Sequence, residues 1–260
     1  MNILTRQGSK RRIAKDVIAH FPKHDMYVEL FFGTGAIFFE KELAKYNILN
    51  DLDNLVYSLW IIMQDKRQRE ELVETIRQTP YHQQVFQDLR VDKIEDTQIF
   101  KALRLLVLSN FSLLSSGETM KFGFTNAKKL LVQKLVDFNS SLGDGASKLE
   151  FAQFTSCDFR EVLKRISFRG ERDIERTFIY ADPPYINTNN NYNTPKYGKQ
   201  DFEDLIKLLI DSKIKFAVSE FDDSFVLENA KKNNLNVIEI GERLNLKNRR
   251  TEILITNYEK

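Results

Sequence analysis

The run Phe178-Ile179-Tyr180-Ala181-Asp182-Pro183-Pro184-Tyr185 decides how the rest of this chain is read. Its first four residues are apolar or aromatic and suit a buried strand. The strand ends at two consecutive prolines, which remove backbone donors and fix φ. Asp182 and Tyr185 flank that break. Open α/β sheets bind ligands beyond the carboxyl ends of their strands, so the turn would show a carboxylate and an aromatic ring to a crevice. Taken alone, it is equally a strand closed by a proline turn.

Working outward, Leu149 to Thr155 reads as a preceding strand, followed by Asp158-Phe159 at the start of a helix. An acceptor carboxylate beside an aromatic suits a purine, and an N-cap Asp followed by a core Phe suits the same residues. Further upstream, Tyr27-Val28-Glu29-Leu30-Phe31-Phe32-Gly33-Thr34-Gly35 reads as strand and glycine turn, then a helix. The glycines let backbone pass close beneath a ligand, and the helix start adds oriented N–H groups. No third glycine completes a dinucleotide fingerprint, so a nucleoside without a pyrophosphate fits better. Asp51 follows a second short strand, Tyr46 to Asn50, where an acidic residue can hold ribose hydroxyls or cap the next helix. Gly8 and Lys10 lie in a basic opening, which is either a ligand contact or an exposed helix start.

From Asn54 to Ser147 the alternation of strands with helices gives way to helical patterns, the mark of an inserted domain. The expected division is 1–54 with 148–260 as one domain and 55–147 as a helical insertion carrying a hairpin near 110–125. Ser140 to Ser147, with Gly143 and Gly145, reads as a flexible return linker. After the proline run, Ile186 to Gln200 is polar and long enough to be a mobile loop over a site. Strands at Ile214 to Ser219, Val237 to Ile240 and Thr251 to Thr256 complete a sheet.

The 260 residues are 42% hydrophobic and 29% charged, which suits a globular chain with a sizeable core. A formal charge of +2 is too small to imply a polyanion partner by itself, so any nucleic-acid surface must be local. The single cysteine, Cys157, forms no internal disulfide. It reads as a small buried residue, and it lacks the Pro-Cys context of a cytosine C5 nucleophile. His20 and His24 are separated by Pro22, which excludes a helical zinc pair. With no apolar span and no signal core, a cytoplasmic address in a bacterium, or for a phage protein in its bacterial host, is expected.

Phe31-Phe32-Gly33-Thr34-Gly35, Asp158-Phe159 and Asp182-Pro183-Pro184-Tyr185, with Gly8 and Lys10, together resemble the Dam-type (D12 class, α-ordered) DNA N6-adenine methyltransferase family. The likeness covers nearly the whole chain, including the closing Arg250 to Tyr258. It implies an α/β fold with a Rossmann-like, mostly parallel seven-stranded sheet, and S-adenosylmethionine as methyl donor. It further implies that Phe31, Gly33 and Gly35 line the methionine side of the cofactor, that Gly8 also binds the cofactor, and that Lys10 sits near its carboxylate or the active site. Asp51 would hold its ribose, and Asp158 with Phe159 its adenine. Asp182, Pro183, Pro184 and Tyr185 would be catalytic, with Asp182 also bordering the cofactor. DNA contacts would come from Asn110, Ser116, Lys121 and Lys128 in the insertion and Asn189 and Tyr192 in the loop. Double-stranded DNA is then the partner, with a cognate restriction endonuclease as a second candidate, in a monomer that needs no metal.

The chemistry explains the residue types. Adenine's amino lone pair is delocalised into the ring, and a duplex hides it, so the base must leave the stack. Asp182 accepting one N6 hydrogen and the Pro183 carbonyl the other would draw that lone pair out of the ring. N4-cytosine methylation uses the same amine chemistry, more often with Ser in place of the motif Asp. A catalytically silent DNA-binding homologue is the alternative of another class.

Overall fold

The computed structural model describes residues 3–6, 8–92, 96–123, 125–140, 145–187, 194–244 and 249–259. The chain forms two compact units: 1–10, 33–39 and 53–154 in the first; 11–32, 40–52 and 155–260 in the second. The expected 55–147 insertion thus falls within the first unit, which also takes in two earlier segments and runs on to Phe154.

Seven strands form one sheet: β1 (Met26–Glu29), β2 (Tyr46–Asn50), β3 (Ala152–Thr155), β4 (Thr177–Ala181), β5 (Lys215–Phe221), β6 (Asn236–Leu244) and β7 (Arg249–Thr256). Their order is β3-β2-β1-β4-β5-β7-β6. β1 runs parallel to β2 and β4, and β4 to β5, while β7 is antiparallel to both β5 and β6. The parallel sheet with an antiparallel strand near its end agrees with the expected methyltransferase architecture.

Helices α1 (Ala14–Ile18) and α2 (Ala36–Glu40) flank β1 in sequence. The first unit then holds α3 (Asn54–Gln64), α4 (Lys66–Gln78), α5 (Gln83–Arg90), α6 (Gln98–Phe111), α7 (Ala127–Ser140) and α8 (Gly145–Glu150). In the second lie α9 (Phe159–Val162), α10 (Glu171–Glu175), α11 (Lys199–Asp211) and α12 (Ser224–Lys232). Side-chain caps start several of these where the sequence offers Asp or Thr: Asp53 for α3, Asp65 for α4, Thr97 for α6 and Asp223 for α12. In the first unit Trp60, Phe86, Phe111 and Phe138 are buried, and Phe39 packs edge-on against Phe138 with ring centres 5.9 Å apart.

Two local expectations change. Leu149 and Glu150 belong to α8, so β3 begins only at Ala152. Gly145, expected in a flexible linker, instead opens α8. A Cβ there would come within 2.7 Å of the Phe138 ring, so this glycine serves close packing rather than flexibility. Residues 141–144 of that linker lie outside the described residues. Among the described residues, no helix is long and apolar enough to cross a membrane.

In the second unit the strand registers divide the sheet into two faces. Val28, Leu30, Ile179, Ala181, Phe216, Val218, Ile253 and Ile255 share one, and they form a single apolar cluster with Phe202, Leu205, Ile206 and Leu209 of α11. Tyr27, Glu29, Phe178, Tyr180, Ser219, Phe221 and Glu252 share the other.

Candidate functional site

The strand order turns at β1 and β4: β1 connects outward to β2 on one side, and β4 to β5 on the other. Such a reversal opens a crevice at the carboxyl ends of the two strands. Asp182-Pro183-Pro184-Tyr185 leaves the end of β4 there. Tyr185 is buried, its hydroxyl donates to Glu252 Oε1, and its ring stands edge-on to Phe221 with centres 4.6 Å apart. Burial is the main cause that raises its pKa well above the tyrosine range, and the neighbouring charge of Asp182 adds to it. The backbone N–H of Ile186 donates to Glu220 Oε1 at 2.6 Å. Asn187 adopts a left-handed φ of 59°, and its Nδ2 donates to Asp223 Oδ2 at 3.1 Å.

Glu29 ends β1 on the polar face and is almost fully buried. Tyr27 Oη donates to its Oε2 at 2.8 Å. Burial pushes the Glu29 carboxyl up to about 8, against the opposing hydrogen bond from Tyr27, and the Asp182 charge pushes in the same direction as burial. Near neutral pH this carboxyl therefore holds its proton, which avoids a second negative charge beside Asp182. Tyr180 and Ser219 complete this layer through a 2.8 Å hydrogen bond between their hydroxyls.

Beyond β2, Asn50 ties the strand tips together. Its Nδ2 donates to the carbonyls of Leu30 and Cys157, each at 3.0 Å, and its Oδ1 accepts from Thr155 Oγ1 and the Cys157 N–H. The Asp51 N–H donates to the Thr155 carbonyl at 3.2 Å. The helix cap that Asp51 could have supplied comes instead from Asp53, whose Oδ1 accepts from the Leu55 N–H. Cys157 is half-buried within this tie and burial raises its thiol pKa, as suits a packing residue.

Phe31 and Phe159 meet with ring centres 5.6 Å apart, and Tyr197 stands edge-on to Phe31 at 6.1 Å. Asp158 caps α9 through the Arg160 N–H and also pairs with the Arg160 guanidinium, which reaches Asp201 and Asp204 as well. The structure thus shows the cap and buried-ring reading of Asp158-Phe159: the carboxylate caps the helix, and the ring joins an aromatic cluster.

Four further residue roles sit in the first unit. Gly8, Gly33 and Gly35 all have positive φ, at 89°, 50° and 67°. A Cβ on Gly33 would enter open space, and the Gly33 carbonyl accepts from Trp60 Nε1 at 2.9 Å. Ser9 and Thr34 hydroxyls lie 3.1 Å apart, which brings the basic opening onto the glycine turn. Lys10, expected at a ligand, is 2% exposed, an unusual burial for an ammonium group. Arg6 pairs with Asp53 at 2.7 Å.

The expected DNA contacts fare differently. Asn110 is buried, its Nδ2 donates to Ile3, Leu106 and Ser109, and its Oδ1 accepts from Lys134 at 3.0 Å. That amide is committed to the interior. The Lys128 ammonium donates to the carbonyls of Arg77 and Thr79 at 2.7 and 2.6 Å, at the end of α4. Ser116 and Lys121 remain partly exposed around a short antiparallel pairing of Ser112 with Met120. Asn189 and Tyr192 lie outside the described residues.

Several site residues escaped the sequence reading: Glu29, Asn50, Tyr197, Glu220 and Glu252. Glu29 left a signal, an acid closing an otherwise apolar strand before a glycine turn. The others read as ordinary strand or loop residues.

The family model for D12 class N6 adenine-specific DNA methyltransferases matches residues 7–252. The chain belongs to that family. A type II methyltransferase, M1.LlaDCHI of Lactococcus lactis subsp. cremoris, is 25% identical over 96% of this chain and 93% of its own length. The DNA adenine methylase of Escherichia coli K12 is 21% identical over 90% and 85% of the two chains. In shape, the rRNA methyltransferase aviRa of Streptomyces viridochromogenes covers 98% of this chain and 89% of its own at a TM-score of 0.44, with 12% identity. This methyltransferase acts on adenine N6 in DNA, and its methyl donor is S-adenosylmethionine. The residues present fit that donor. In the second unit the buried Tyr197 hydroxyl beside Phe31 has no hydrogen-bond partner among the described residues, which leaves it a polar group for a ligand.

Proposed function

We propose that the chain methylates a flipped-out adenine in duplex DNA at a specific sequence, with Asp182-Pro183-Pro184-Tyr185 as the reacting segment. The observation that carries this reading is the position of that segment, at the carboxyl end of β4 where the strand order reverses. Asp182 and the Pro183 carbonyl accept the two N6 hydrogens and localise the lone pair on nitrogen. The Asp182 carboxylate then stabilises the positive charge that N6 gains as its new bond forms. Pro184 stiffens the turn, and Tyr185 stacks on the extruded base, a contact worth about 1–3 kcal/mol. S-adenosylmethionine supplies a methyl group already activated on a sulfonium.

For the cofactor, Phe31, Gly33 and Gly35, with Gly8 and Lys10, take the methionine end. Asp51 takes the ribose, and Phe159 with Asp158 the adenine, Arg160 sharing that carboxylate. Ser116 and Lys121 face DNA from the short hairpin of a target-recognition domain. The protein works as a cytoplasmic monomer beside a restriction endonuclease. That last reading is supported by the names of two relatives, a type II methyltransferase and a modification methylase, StsI of Streptococcus sanguinis.

Incubating labelled S-adenosylmethionine with unmethylated genomic DNA tests the central assignment. Asp182→Ala abolishes transfer to DNA while cofactor binding, followed by equilibrium dialysis, stays within about 3-fold of the wild type, because the lost acceptor acts on the substrate amine. Unchanged turnover in that variant removes Asp182 from the mechanism.

A further inference from the structure

Pro183 and Pro184 have no N–H, so neither can anchor the reacting segment by donating from its backbone. Three consecutive residues, from the segment's last onward, anchor its end: the Tyr185 hydroxyl on Glu252, the Ile186 N–H on Glu220 and the Asn187 amide on Asp223. Glu220 and Glu252 are both fully buried. Glu220 Oε2 accepts from the N–H of Phe221 at 2.7 Å, which fixes that carboxylate at the end of β5 while its other oxygen takes Ile186. The β5–β7 register places Phe221 opposite Glu252 and Glu220 opposite Ile253. Successive strand residues point to opposite faces, so Glu252 rises from the polar face and Glu220 from the apolar one.

We propose that Glu252 and Glu220 are positioning residues for methyl transfer: they grip the end of the Asp182-Pro183-Pro184-Tyr185 run from opposite faces of the sheet and fix the Tyr185 ring and the Pro183 carbonyl for the adenine. The proposal rests on the assignment of that run as the reacting segment. Glu252 acts through the Tyr185 hydroxyl, which together with the edge contact to Phe221 sets the plane of the ring. Glu220 acts through the backbone of Ile186. It lies on the face of the apolar cluster that holds Val218, Ile253 and Ile186, where a hydrocarbon side chain would leave the Ile186 and Phe221 N–H groups without their acceptor. A buried carboxyl kept there has its use in the N–H groups it accepts.

The experiment is a double-mutant cycle on the full chain with unmethylated genomic DNA and labelled S-adenosylmethionine. Glu252→Leu lowers kcat about 10- to 100-fold, the cost typical of a reacting group displaced by about an ångström, and leaves the KM for the cofactor within about 3-fold. Glu252→Gln keeps an acceptor for the Tyr185 hydroxyl and restores kcat to within about 3-fold of the wild type. Tyr185→Phe also lowers kcat, and adding Glu252→Leu to it costs nothing more, since both act through one hydrogen bond. A purely structural glutamate would give losses that multiply, together with a raised cofactor KM, and that result overturns the proposal. If Glu252→Leu does not fold, Tyr185→Phe alone decides: wild-type kcat overturns the proposal and a lowered kcat at unchanged cofactor KM supports it. Asp182→Ala, run alongside, separates the two levels. Full activity there defeats the assignment of the reacting segment itself. Its loss, with Glu252→Leu at wild-type kcat, defeats only the positioning role.

Discussion

On one face of the second unit's sheet, Val28, Leu30, Ile179, Ala181, Phe216 and Val218 pack under α11 as an apolar layer. On the other, at the same strand ends, Tyr27 bonds Glu29, Tyr180 bonds Ser219, and Tyr185 bonds Glu252. The contrast separates two tasks. Apolar burial holds the strands together without directing any atom, whereas hydrogen-bonded tyrosine and carboxyl pairs fix side chains in specific orientations. The Asp182-Pro183-Pro184-Tyr185 turn leaves β4 between these layers, and the residues at its end bond to carboxylates on both.

Three substitutions would break or sharpen this contrast. The largest effect is expected on the apolar face, where Phe216→Ala costs about 3–5 kcal/mol of stability through the cavity it leaves. Urea titration reads that loss. Per folded molecule kcat should stay within about 2-fold, and a specific collapse of kcat in the folded variant would erase the division of labour. Next comes Glu29→Gln on the polar face. Between the ordinary carboxyl value of 4.5 and about 8, the folded protein holds a proton on Glu29 that the unfolded chain has released. Stability from this group is therefore fully present below that window and falls as pH rises through it. The glutamine variant lacks this loss, and it should exceed the wild type by on the order of 2 kcal/mol at pH 8, with little difference at pH 4.5. Parallel pH profiles for the two proteins would remove the buried-proton account. Smallest is Tyr180→Phe, which deletes the hydroxyl pair with Ser219 and should cost about 1 kcal/mol by urea titration.

The apolar layer was legible because it is written locally. Short runs such as Phe178 to Ala181 and Ile214 to Ser219 announce buried strands, and Pro183 and Pro184 announce where one of them ends. The hydrogen bonds that hold the turn after β4 were not, because they join residues far apart in sequence. Tyr185 and Glu252 are 67 residues apart, and Ile186 and Glu220 are 34 apart. A tyrosine or glutamate within a strand carries no mark of what it will meet across the sheet. The same limit hid the partners of Lys128, whose ammonium closes the end of α4. It also hid the helix that Gly145 begins, because the Phe138 ring demanding a glycine there is supplied by another helix.

The most direct test is to sequence unmethylated genomic DNA for modified bases after treatment with the wild type and with Asp182→Asn, each supplied with S-adenosylmethionine. The account predicts N6-methyladenine confined to one sequence context with the wild type and none above background with the variant, whose melting temperature stays within about 4 °C. Methyl groups on cytosine, or equal adenine methylation by a folded Asp182→Asn, would contradict it.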